Sequence, residues 1–253
     1  MIWLTVTLFI LLVLVAGRKG INIFISLGGS FFALMAVMML IADEFNPLVV
    51  GILFAVGLVF LAIYPNTSNG HIRQSALASS LLVLLGLLAI TLVAVHFSFS
   101  QGFSIEDTDE IEQFLLPIGI SFPQIQVVVL LFSALGAVAE ASIAISSGVW
   151  EIILYQPQIS DQQLLHAGLE IGRKNIATAL NTLLFGFFGS YLTLGLWLIQ
   201  LHYTPVTILN NAILGSAVLE LLLGILGVIA VAFLTNYYII WQRHHDKSLK
   251  ADK

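Results

Sequence analysis

Ser133, Glu140 and Ser147 recur every seven residues within an apolar run from Gln124 to Leu154. Seven residues is close to two helical turns, so on a helix the three share one face. Glu140 carries the chemistry, because it is an acid in a run that holds no Lys or Arg. It lies eleven residues before Glu151, roughly 16 Å deeper at helical rise, which predicts a position near mid-membrane. A charged side chain at a helix centre in lipid costs roughly 2.5–3.5 kcal/mol even on lenient scales. The group is therefore neutral or paired, and no apolar run of the chain offers a basic partner. The expectation is a Glu140 that is mostly protonated at rest. A carboxyl that changes protonation inside a membrane can pass a proton along. The competing role is structural, a hydrogen bond that ties neighbouring helices together.

Two further polar stripes follow. Thr178 and Thr182 stand one helical turn apart, with Asn181 beside them and Gly186, Gly189 and Thr193 beyond. Glu220, Gly224, Gly227 and Val231 form the other. If the stripes face one another, Glu140, Ser133, Ser147, Thr178, Asn181, Thr182 and Glu220 would line a small hydrated cavity, a proton relay or substrate pathway. The alternative is close packing of small residues, with Ser and Thr bonded to their own backbones. Glu151 sits near the end of its run, where it can reach water. Other chemistry lacks residues. The chain has no Cys, which removes thiol catalysis, disulfides and thiolate metal sites. No Walker A, GxGxxG or HExxH pattern occurs. His96 and His202 fall near one boundary, but two His without a third ligand are weak evidence for a metal. No enzymatic activity, cofactor, metal or nucleic-acid partner is expected.

The elements that must position these residues are membrane helices. Of 253 residues, 59% are hydrophobic and 9% charged, against about 25% charged in a soluble domain. Apolar runs recur at 1–17, 21–42, 48–64, 75–97, 124–154, 176–200 and 212–241, near the lengths that cross a bilayer. The first run has its basic residues after it, Arg18 and Lys19, where a signal peptide has them before, so it reads as a retained helix. The acidic stretch Glu106–Glu112 precedes FLLPIGISFP. It reads as a solvated loop that leads into a short interfacial helix and a turn. Between 155 and 175, Leu164, Leu165, Gly168, Leu169 and Ile171 make one apolar side, which predicts a short helix lying on the membrane surface.

Seven spans put all 9 Lys and Arg on one side, and the positive-inside rule makes that side the cytoplasm. The expected fold is all-α and polytopic, with about seven transmembrane helices, N-terminus out and C-terminus in. Residues 1–242 would form one transmembrane domain and 243–253 a polar cytoplasmic tail.

Three stretches carry a resemblance: AGRKG at 16–20, ALGAVAEASIAISSGVWEI at 134–152 and IGRKNIATALNT at 171–182. Together they resemble the YibE/F family of bacterial multi-pass membrane proteins, in its shorter form. The family pattern usually has Asp where this chain has Glu140, which keeps the carboxylate on a longer arm. The resemblance implies a bacterial plasma membrane of the Gram-positive type and a larger sibling subunit as partner. It brings no established activity. The last six runs are also similar in arrangement to one half of the resistance-nodulation-division permeases and of SecD/SecF, without their extracellular domain. Two functions follow as expectations. One is a proton-linked transporter or efflux component working with a sibling. The other is a non-transporting scaffold or assembly subunit.

Overall fold

The computed structural model describes residues 2–67, 69–98 and 121–245. They form eight helices: α1 (Ile2–Ala16), α2 (Arg18–Ala42), α3 (Pro47–Ile63), α4 (Gly70–Ser98), α5 (Phe122–Tyr155), α6 (Asp161–Gln200), the short α7 (Pro205–Leu209) and α8 (Ala212–His245). No strand occurs among the described residues. Five of the helices, α2, α4, α5, α6 and α8, are long and apolar enough to cross a membrane. The 15-residue α1 and the 17-residue α3 are apolar but shorter, roughly 22 and 25 Å at helical rise. Apolar helices thus cover the seven expected runs in order, five of them long enough to cross a membrane. The interfacial helix expected in the acidic stretch lies outside the described residues.

Local chemistry sets the helix starts. Asn46 accepts from the Leu48 and Val49 amides, with Pro47 opening α3. Ser160 and Gln163 form a reciprocal capping box at the start of α6. Asn211 accepts from the Ile213 and Leu214 amides to start α8. Between α1 and α2 the chain reverses at one residue, Gly17, whose φ of 59° suits glycine. Gly20 then lies against the Leu12 backbone, where any Cβ would overlap the carbonyl.

α5 is the centre, packed on α3, α4, α6 and α8. In its most apolar stretch 56% of residues are buried, against 6% for α2 and for α6. Val59, Leu87, Val138, Ala139 and Val231 are core residues from α3, α4, α5 and α8. α2 packs on α3, and α1 packs on α2 at the periphery. A buried polar network ties the α4, α5 and α8 ends together. Trp150 Nε1 donates to Ser75 Oγ at 2.9 Å, and Ser75 Oγ donates to Gln242 Oε1 at 2.7 Å. Thr235 donates to Ser79, and Ser80 to Ser142.

One sequence expectation is corrected. Residues 161–175 are not a separate surface helix, because α6 runs unbroken for 40 residues. Leu164, Gly168 and Gly172 are buried in the bundle, with Gly168 and Gly172 meeting Asn236 and Ala232 of α8. The apolar side thus serves helix packing rather than lipid. The described start of the expected tail, residues 243–245, continues α8. Gln242 is buried, and residues up to His245 are helical. Arg243 bonds the Pro157 and Ile159 carbonyls and Asp161, while His244 meets Asp161 Oδ2 at 2.7 Å.

Candidate functional site

Two adjoining clefts lie where α6 crosses α5 and α8. The first, about 220 Å³, is lined by Ser133 and Glu140 of α5 and by Asn175, Thr178 and Thr182 of α6. The second, also about 220 Å³, is lined by Ser133, Thr182, Gly186, Ser190 and Tyr191, with Glu220 and Gly224 from α8. Ser133, Thr182 and Leu183 belong to both. Five of the seven residues singled out by periodicity therefore meet along one track: Ser133, Glu140, Thr178, Thr182 and Glu220.

The other two do not line it. Asn181 is exposed, about 100° around α6 from Thr182. Ser147 is half-buried and stands next to Gly148, on which Ile171 of α6 seats, outside the lining of both clefts. The stripe on α8 also divides. Glu220 and Gly224 face the cleft, whereas Gly227 faces Val138 and Leu87 and Val231 is in the core.

Glu140 stands near the middle of α5, and its neighbours on α6 place it relative to the charged part of that helix. Glu140 shares its cleft with Asn175, the residue after Lys174 on α6. Lys174 is exposed and pairs with Glu170 at 3.5 Å. Glu140 therefore lies close to the level where α6 passes from charged to apolar sequence, and its side chain is exposed. Glu220 lies at the other end of the track, beside Tyr191, whose hydroxyl donates to Glu220 Oε2 at 3.1 Å. The Tyr191 ring is 5.2 Å from that of Phe187. Asn175, Ser190 and Tyr191 were missed in the sequence. The signal for two of them was there, since 175, 178, 182, 186 and 190 continue one face at helical spacing.

The hydroxyls are anchored locally. Ser133 donates to the Leu130 carbonyl, Thr178 to Lys174 and Thr182 to Thr178. Each oxygen keeps acceptor capacity toward the track. No Lys, Arg or His lines either cleft. With two carboxyls and acceptor oxygens, the lining suits protons or other cations and disfavours anions. Among the described residues no group of three or more His, Asp or Glu is placed to hold a metal ion.

The family model for YibE/F-like proteins matches residues 4–245. No curated protein and no solved structure matches the chain. The match spans nearly the whole sequence, and the chain belongs to the YibE/F-like family, a helical membrane protein by its apolar helices.

Proposed function

We propose that this YibE/F-like protein is a proton-linked transporter or efflux component of the bacterial plasma membrane, acting with a larger sibling subunit. The observation that carries the reading is the track between α5, α6 and α8. It has a carboxyl near each end, hydroxyls between them and no fixed positive charge in its lining. A proton or a cation neutralises each carboxyl in turn. The charged and neutral forms favour different exposure to water, which links loading to a change in how α6 sits on α5 and α8. The basic helix ends face the cytoplasm on this reading.

The test is Glu140→Gln in proteoliposomes with a pH-sensitive dye inside. Gln keeps the size and hydrogen-bonding capacity but cannot take up a proton. Loss of proton-coupled flux, with normal folding and assembly and with activity kept by Glu140→Asp, is the expected result. Full flux in Glu140→Gln would overturn the reading.

A scaffold role is the second reading, favoured by the outer half of α6. Phe185, Phe188, Leu192, Leu196 and Ile199 are all exposed there, a large apolar face of the kind that marks protein or lipid contact. A scaffold tolerates Glu140→Gln and loses its partner on Phe185→Ser with Phe188→Ser.

A further inference from the structure

A third cavity lies away from the carboxyl track, between α2 and the turn from α3 to α4. Its volume is about 630 Å³, within the roughly 300–1,000 Å³ of small-molecule sites. We propose that it holds the phosphate headgroup of an anionic phospholipid.

Donors stand in the polar wall beside Ser26, Asn66 and Thr67, whose own side chains donate to backbone carbonyls. Lys19, Asn22 and Tyr64 line it, and Lys19 and Asn22 have no hydrogen-bond or ion-pair partner in the described structure. No Asp or Glu contributes to the lining. A second cation backs the wall, with the Arg73 guanidinium 4.2 Å from the Tyr64 ring centroid. Arg73 also donates to the carbonyl of Thr67, a lining residue, at 3.1 Å. Its Nε is buried without a partner. The N-terminus of α2, whose Gly17 cap supplies no side-chain bond, adds the positive end of a helix dipole. A phosphate seated in the cavity would answer Lys19, Asn22 and Tyr64 directly, with Arg73 and the α2 dipole adding positive field from behind the wall.

The remaining wall is apolar, with Ile25 and Leu61 among its residues. It continues along α2 through exposed Ile25 and Phe32, toward the middle of the apolar helix. A headgroup seated at Lys19 would therefore lay its acyl chains on α2. This second feature favours a lipid over a free phosphate. The site also lies at the basic end of the bundle, where anionic headgroups concentrate near Lys and Arg. The inference is independent of what the carboxyl track carries.

The test uses the full chain in detergent, by native mass spectrometry with added phosphatidylglycerol or phosphatidylcholine. One tightly held phosphatidylglycerol is expected, with little phosphatidylcholine. Lys19→Gln should weaken retention about fivefold, the worth of one basic residue near an anionic surface. Asn22→Ala should weaken it too, which provides a second readout if Lys19→Gln folds poorly. Lys174→Gln removes the same charge from an exposed site on α6 and should leave retention unchanged. Equal retention of the two lipids, or equal loss in Lys174→Gln, would overturn the proposal. Displacement of the lipid by inorganic phosphate at the same concentration would also overturn it, by showing a site for a soluble anion.

Discussion

Gly168→Ala tests the placement of α6 directly. A Cβ at this position would overlap Asn236 Oδ1 and meet Val149 Cγ2 at 3.1 Å. Asn236 cannot easily retreat. It is 1% exposed, and its Nδ2 donates to the Ala232 carbonyl at 2.7 Å. Overpacking of a tight buried contact costs about 1–3 kcal/mol, and the pinned amide puts this site toward the upper part of that range. Replacing a mid-helix glycine by alanine returns about 1 kcal/mol of helix propensity. The net expectation is a loss of about 1–2 kcal/mol. Asn236→Ala removes the obstructing amide, whose Oδ1 has no hydrogen-bond donor. In that background Gly168→Ala should cost nothing or stabilise. The double-mutant cycle, read by reversible unfolding in detergent micelles, should therefore show a coupling of at least about 1 kcal/mol. If residues 161–175 lay on the membrane surface instead, Gly168→Ala would be neutral or stabilising in both backgrounds. Additive effects would refute the packing of α6 on α8.

Sidedness is tested by single cysteines in this Cys-free chain. Asp109→Cys should react with an impermeant reagent from outside and Lys174→Cys should not, and the reverse pattern ends the proposed orientation. Trp150→Phe removes the bond to Ser75 and part of a buried ring, and should cost about 2–3 kcal/mol in unfolding assays. A loss below about 0.5 kcal/mol would show that the Ser75–Trp150–Gln242 network does not hold the helix ends. Thr182→Val keeps the shape but removes the hydroxyl shared by both clefts, and on the transport reading should slow proton flux without abolishing it, unlike Glu140→Gln.

Much of the fold was legible because each apolar run ends in a charge or a turn. Arg18, Asn46-Pro47 and Asn211 mark boundaries by their chemistry alone. The 161–175 segment was not legible in the same way. Leu164, Gly168 and Gly172 make a stripe that reads alike on a lipid surface and on a neighbouring helix. Only Asn236 and Ala232, far off in sequence, decide between them. The same holds for Arg243 and His244, which look like a solvated tail until Asp161 is seen beside them. Periodicity grouped Ser133, Glu140, Thr178, Thr182 and Glu220 correctly, because a face of a helix follows from spacing. It failed for Ser147 and Val231, because spacing does not tell where a partner helix crosses.

On the transport reading, the position of Glu140 beside Asn175 bears on where the difficulty of proton movement lies. From Asn175, beside Glu140, to Tyr191, beside Glu220, α6 advances sixteen residues, about 24 Å at helical rise. That is most of a hydrocarbon core of about 30 Å. Each carboxyl therefore stands toward one end of the track. The costly section is the middle, where the clefts share Ser133 and Thr182 and where no titratable side chain is available. On the transport reading, a proton crossing there would need water held by those hydroxyls, and a bare cation would meet a gap without carboxylates. On the proposed transport reading, the joint between the clefts would be the selective step, with Glu140 and Glu220 as its loading points.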